Sequence, residues 1–239
     1  MDKQGLRESV WDELEDSGAA RFPFPPHGRI PNYEGADTAA AGLAETRAWA
    51  RADAVKANPD APQRPVRRRA LEAGKTVYVA VPRLRDEDCF LRLDPDRIDD
   101  VDRATTIDGS AELGEQVGPE GVEPIDLVVS GSVAVDPGGR RVGKGEGYSD
   151  LEFAVLREFG LVDDGTVTAT TVHERQVREG PLPTSDHDVP MDRIYTPERA
   201  VRGDEAGTAA KPSGVARDAL DEERIEAIPV LGRLRERDG

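Results

Sequence analysis

Along the first sixteen residues the apolar positions Leu6, Val10, Trp11 and Leu14 recur at helical spacing, and Ser17-Gly18 ends the pattern, which predicts an amphipathic helix. Prolines at 23, 25, 26 and 31 then interrupt the chain while Phe22, Phe24 and Tyr33 stand out of it, so this stretch reads as a loop or strap. Residues 36–57 are alanine-rich, with Leu43, Trp49 and Val55 on one face and Asn58-Pro59 behind them, and predict a second helix. The polar, proline-rich segment before Arg67-Arg68-Arg69 predicts a turn and a short helix ending at Gly74. β-Branched runs at 76–81 (TVYVAV), 126–135 (DLVVSGSVAV) and 167–172 (VTATTV) predict strands buried on both faces, with 192–195 a candidate fourth. Between the second and third of these, Leu151, Val155, Leu156 and Phe159 stripe a helix over 148–159. Helices alternating with buried strands predict an α/β class with a mainly parallel sheet and right-handed crossovers. Residues 1–201 are expected to form this domain, 202–216 (RGDEAGTAAKPSGVA) a flexible linker, and 217–239 a helical tail interrupted at Pro229.

Composition narrows the partners. The 239 residues carry 48 Asp+Glu against 32 Lys+Arg, a formal charge of −16, which disfavours nonspecific binding to nucleic acid or an anionic membrane. No apolar run is long enough to span a bilayer and no apolar stretch follows Lys3, so a cytoplasmic protein is expected, either a monomer or a homo-oligomer. The acid excess, with basic residues almost all Arg, resembles halophilic adaptation to a salt-rich cytoplasm. A single cysteine, Cys89, excludes an intramolecular disulfide, a Cys-based zinc site and CxxC redox chemistry, and reads as a small buried apolar group.

The segment DPGGRRVGKGEGYSDLE, 136–152, concentrates five glycines in ten positions with Arg140, Arg141 and Lys144, directly before a helix. Glycines let amides approach a ligand closely, and successive N–H groups at the positive end of a helix make an anion cradle. The pattern serves equally for a surface hairpin turning at Pro137-Gly138, but lysine occurs in this chain only at 3, 56, 75, 144 and 211, and Lys144 favours phosphate binding. Gly138 to Lys144 mimics a Walker loop, yet Gly145 replaces the magnesium-binding Ser or Thr, and no G-x-G here completes a dinucleotide fingerprint.

Asp150, one turn into that helix, is suited to holding magnesium or simply to favouring the helix N-terminus. His173 and His187 each adjoin a carboxylate near a strand end, too few and too far apart for a metal triad, while Asp188 and Asp192 read as ligand, cap or solvated charge. His27 lies among prolines as a surface residue, and no G-x-S-x-G nucleophile motif occurs.

An early Lys3 with Arg7, the loop Arg141-Val-Gly-Lys-Gly-Glu-Gly-Tyr-Ser-Asp150, Gln176, and then His187-Asp188 and Asp192 give the chain an order of segments that resembles the 5-formyltetrahydrofolate cyclo-ligase (methenyltetrahydrofolate synthetase) family over most of residues 1–200. The loop is the specific part, since the family form is Arg-Leu-Gly-x-Gly-x-Gly-Tyr-Tyr-Asp. The resemblance implies a three-layer α/β/α, CoA-transferase-like fold and a ligase of one-carbon metabolism that uses ATP to phosphorylate the formyl oxygen of 5-formyltetrahydrofolate before cyclisation expels phosphate. It further implies ATP contacts from Lys3, Arg7, Arg141, Gly143, Lys144, Gly145 and Gly147, catalytic roles for Lys144 and Tyr148, and magnesium on Asp150 and Asp188. Substrate contacts fall to Tyr33, Glu34 and Tyr148. Ser149 replaces the second family tyrosine, Glu146 adds a negative charge, and the family's substrate-binding Glu corresponds to Gly35, with Glu34 displaced by one. The Phe22 to Tyr33 segment and the ending AIPVLGRL resemble a divergent paralogous branch linked to thiamine metabolism. Alternatives to the folate reaction are therefore action on another small heterocycle, or nucleotide binding without catalysis.

Overall fold

The computed structural model describes residues 1–202 and 210–237. Helix α1 (Lys3–Asp16) starts where the Asp2 side chain accepts from the Gly5 amide, and buries Leu6, Val10, Trp11 and Leu14 as their spacing predicts. A short hairpin follows, β1 (Ala20–Arg21) with β2 (Asn32–Tyr33), so the proline-rich strap is closed at its base by strand pairing. Then come α2 (Ala36–Ala44), α3 (Arg47–Arg51), β3 (Ala54–Ala57), α4 (Arg64–Glu72), β4 (Thr76–Ala80) and β5 (Phe90–Leu93). Helices α5 (Val101–Ala104) and α6 (Ile107–Leu113) precede β6 (Glu115–Val117) and β7 (Leu127–Val129), and β8 (Ala134–Val135) pairs with β9 (Arg141–Val142). The chain continues through α7 (Tyr148–Glu158), β10 (Val167–Thr171), β11 (Arg193–Tyr195), β12 (Ala200–Arg202), α8 (Glu222–Glu226) and α9 (Pro229–Arg237).

Among the described residues the main sheet has eight strands in the order β12-β11-β10-β7-β3-β4-β5-β6. The five central strands from β11 to β4 run parallel, and β12, β5 and β6 are antiparallel additions at the edges. Alternate residues of each strand face opposite cores. Val55, Val77, Val79, Leu127 and Val129 pack with Leu43, Trp49, Val66 and Leu71 on the α2–α4 side. Ala54, Tyr78, Val128 and Ile194 pack with Leu151, Phe153 and Leu156 of α7 and with Val230, Leu231 and Leu234 of α9 on the other. This is the three-layer α/β/α arrangement expected. Helix α1 and the two hairpins share a third cluster containing Trp11, Leu14 and Val142.

Two expectations are corrected. The single helix over 36–57 is broken at Thr46, whose hydroxyl donates to Leu43 O (2.8 Å) and accepts from Trp49 N–H (3.2 Å). Its last part is β3, the centre of the sheet, where Val55 lies between Leu127 and Val77; strand pairing on both sides outweighs alanine's helical preference. The strand over 126–135 is likewise two, β7 and β8. The chain leaves the sheet at Gly131, where a Cβ would meet Ile30 Cγ2 at 2.8 Å. The expected linker at 202–216 falls in part on 203–209, outside the described residues, while Lys211 beyond them bonds Asp192 at 2.8 Å and Val215 N–H donates to Glu158. No helix among the described residues is long and apolar enough to cross a membrane.

Candidate active site

The glycine-rich segment leaves β9 and enters α7, and its backbone requires glycine at two points, with φ of +112° at Gly145 and +69° at Gly147, the residue preceding the helix. Its base is braced from within. The buried Arg141 guanidinium donates to Gly131 O (2.7 Å) and to Asp150 Oδ1 (2.6 Å), and the same oxygen accepts from the Val189 amide (2.9 Å). Removing one partner of such a buried pair typically costs about 3–5 kcal/mol, so this bridge fixes the loop to the first turn of α7. The carboxylate also sits at the favourable end of the helix dipole.

Helix α1 reaches the same place. Arg7 Nε donates to Gly143 O at 2.7 Å, and a Cβ on Gly145 would meet Arg7 Cζ at 3.4 Å, so the guanidinium lies against the loop backbone. Lys3 pairs with Asp188 at 2.6 Å, and Asp188 Oδ2 also accepts from Ser185 N–H. The structure thus gathers Lys3, Arg7, Arg141, Asp150, Asp188 and the loop glycines, residues separated by as many as 185 positions, around one bend of chain.

A cleft of about 550 Å³ opens beside the loop and is lined by Lys144, Gly147, Tyr148 and Asp150 together with Asn58 and Asp60 from the end of β3. Parallel α/β sheets place ligands at such strand ends. The Lys144 ammonium pairs with Glu146 at 2.8 Å; burial works against its charge, but Glu146, Asp60 and Glu152 outweigh that and hold its pKa above 10.5. Burial raises the Asp60 carboxyl, with Lys144 the first charge opposing it. Asp188 lines a neighbouring cavity of about 440 Å³ that shares Arg141 with the cleft.

Tyr33 and Glu34 are not brought to this cleft. Tyr33 is enclosed, edge-on to His173 at 6.0 Å between ring centroids, and burial raises its phenol. Glu34 is exposed and pairs with Arg21 at 2.8 Å. His27 pairs with Asp12 on the surface, Asp192 caps Thr168 and holds Lys211, and Cys89 is buried with its thiol pushed up to about 12 by that burial.

Sequence reading missed a polar chain under the loop. Lys56 and Glu152 form a buried ion pair; Asn58 donates to Glu152 Oε2 (3.1 Å) and accepts from the Gly131 amide (3.0 Å) and the Ser149 hydroxyl (3.1 Å). One asparagine therefore joins β3, the β7–β8 bend and α7. Its signal was Lys56-x-Asn58 among apolar residues, hidden by the helical assignment of 36–57. The second omission is the turn Pro82–Leu84, where Arg83 (φ +62°) and Leu84 (φ +53°) are the non-glycine residues in the left-handed region among the described residues. Such conformations cost on the order of 1–3 kcal/mol each.

Among the described residues no group of three or more His, Cys, Asp and Glu forms a metal cluster. The donor set nonetheless suits Mg²⁺, which takes one or two carboxylates and fills its other positions with water and phosphate oxygens. Among the described residues, both hydrogen bonds to the Asp150 side chain fall on Oδ1 and both to Asp188 fall on Oδ2, which leaves each carboxylate a second oxygen for a metal.

A family model described as the 5-formyltetrahydrofolate cyclo-ligase family matches residues 2–197. The chain is 42% identical over 243 residues to a Mus musculus protein named methenyltetrahydrofolate synthase domain-containing protein, and 36% identical over 242 residues to its Homo sapiens namesake, covering 100% of this chain in each case. It spans 64% and 62% of the lengths of those relatives. Among solved structures, an Aquifex aeolicus 5,10-methenyltetrahydrofolate synthetase superposes with a TM-score of 0.55 at 19% identity, covering 87% of this chain and 95% of that one, a likeness that speaks for the fold.

Proposed function

Since the chain belongs to the 5-formyltetrahydrofolate cyclo-ligase family, we propose that it is an ATP- and Mg²⁺-dependent ligase that closes 5-formyltetrahydrofolate to 5,10-methenyltetrahydrofolate. The observation that supports this best is Lys144 lining the cleft together with Gly143 and Gly147, on a loop whose base is locked by Arg141 and Asp150. In this reading the loop amides, Lys144 and Arg7 bind the triphosphate, and the γ-phosphoryl group passes to the formyl oxygen while ADP departs. N10 of the folate then attacks the activated carbon and gives up its proton to solvent, and the C–O bond breaks to release phosphate. Positioning and charge neutralisation carry such a transfer, and no protein nucleophile is required. Asp150 and Asp188 would hold Mg²⁺, which supplies further neutralisation of phosphate charge when bound.

One observation favours a second reading, in which the chain retains nucleotide binding but acts on another small heterocycle. Gly35, at the position of the family's substrate-binding Glu, has φ +83°, and a Cβ there would meet Pro197 Cγ at 2.6 Å, so no side chain fits. Incubating the purified chain with ATP, Mg²⁺ and 5-formyltetrahydrofolate, at low and at molar KCl, separates the two. Methenyl absorbance rising in step with ADP supports the folate reaction; ATP binding without either product supports the paralogous one.

A further inference from the structure

We propose that Arg83 recognises an oxyanion carried by the acceptor molecule, a carboxylate or a phosphate, while the acceptor's flat ring lies on the apolar side chains beside it. The proposal rests on the nucleotide reading of the glycine loop and assigns the rest of the same cleft.

Arg83 lines the cleft from the turn after β4, whereas Lys144 lines it from the loop before α7. Arg85, two residues on, is already turned toward Asp86 at 3.6 Å, but among the described residues the Arg83 guanidinium has no ion-pair partner, in a chain of net charge −16. Beside it the cleft lining includes the apolar Val79 of β4, Val81 just after it, Leu91 of β5 and Ile107 of α6, interspersed with Asp108, Ser110 and Gln116. Ile107 is 62% exposed at the cleft mouth, where a bound ring would cover it. Of the cleft's arginines, Arg85 and Arg141 are paired with carboxylates, and an unpaired guanidinium beside apolar side chains fits a heteroaromatic ring with an anionic substituent.

The backbone gives independent support. Glycine would adopt φ +62° freely, yet arginine occupies the position. The neighbouring contacts hold it there: Leu84 is fully buried in the α7-side core, its amide bonds Val81 O (2.9 Å), and the Val81 amide bonds Cys89 O (2.9 Å). A side chain kept at an unfavourable backbone angle and exposed at a cleft is better explained by ligand contact than by folding.

The test uses three variants, Arg83→Ala, Arg83→Lys and Arg83→Gly, and calorimetric binding of ATP, of 5-formyltetrahydrofolate, of a pyrimidine monophosphate and of 5-formyltetrahydropterin, which lacks the glutamate carboxylates. Arg83→Ala should weaken the anionic acceptor about tenfold or more, the loss expected of one charge-assisted pair, and leave ATP within about twofold. Arg83→Lys should recover part of that loss, and the uncharged pterin should bind wild type and variant alike. Arg83→Gly should lose acceptor affinity while its melting temperature holds or rises, an outcome that a merely structural arginine would not give. The choice of acceptor weakened distinguishes carboxylate from phosphate. An equal loss for the uncharged pterin, a tenfold loss for ATP, or no binding of either anionic acceptor to the ATP-loaded wild type would overturn the proposal. Acceptor affinity that depends on Arg83 without methenyl formation would sink the cyclo-ligase reading and leave this one standing.

Discussion

The Arg224 guanidinium lies 4.7 Å from the centre of the Tyr148 ring and donates to the Glu146 carbonyl, so a residue of the C-terminal tail covers both the first residue of α7 and the loop before it. The tail is anchored by Ile228, Val230, Leu231 and Leu234 in the same core as α7, which makes Arg224 a clasp held from behind. Cation–π contacts at exposed sites contribute only about 0.5–1 kcal/mol.

Arg224→Ala should therefore change the melting temperature little while loosening the loop. The expected outcome is a several-fold weaker affinity for ATP, read by calorimetry, and increased amide exchange at Glu146 to Tyr148. Unchanged exchange there would remove the clasp role.

The pair of Lys144 with Glu146 sets a second expectation. Both side chains are more than one-third exposed, so the pair contributes about 0–1 kcal/mol to stability. Its effect is on binding, because the carboxylate competes with any polyphosphate for the ammonium. Glu146→Gln should tighten ATP by a few-fold with an unchanged melting temperature, and a weaker affinity would contradict the competition.

Under the loop the energetics reverse. Lys56 and Glu152 are both buried, and deleting one charge strands the other. Lys56→Met should cost roughly 3–5 kcal/mol in denaturant unfolding, and the double variant Lys56→Met with Glu152→Gln should regain most of it, since the amide still accepts from Asn58. Additive losses would show that the two charges are not coupled.

Acid sensitivity is expected at His173, whose Nδ1 accepts from the Arg175 amide at 3.2 Å. Burial first, and the neighbouring Arg175 next, hold the imidazole below its ordinary 6.5. The unfolded chain consequently takes up the proton before the folded one does. The stability this group contributes is intact above 6.5 and is lost as pH falls from there through the lower folded value. His173→Asn, which keeps a capping acceptor, should flatten the decline in melting temperature over that window.

The legible parts of this fold are those in which local pattern and tertiary environment agree. The stripe of α1, the helix after the glycine loop and the β-branched runs of β4 and β10 all declare themselves by periodicity. β3 does not, because Ala54–Ala57 is four buried residues whose identity as a strand depends on partners 22 or more positions away. The same reason hid Lys56 and Asn58, which gain meaning only when Glu152 and Ser149 arrive from α7. Arg83 was illegible because nothing in the sequence announces a left-handed arginine. The bend before α7 is legible as a glycine-rich turn because glycine spacing is a local signal that needs no tertiary context.

In the proposed reading the bend between β9 and α7 binds a polyphosphate. Titrating ATP with Mg²⁺ into the wild-type chain and into Lys144→Ala, with unfolding curves confirming that both are folded, tests it directly. Saturable binding to the wild type is expected, with a loss of about tenfold or more in the variant, the size expected for one charge-assisted contact. Equal affinity in the two proteins would contradict it.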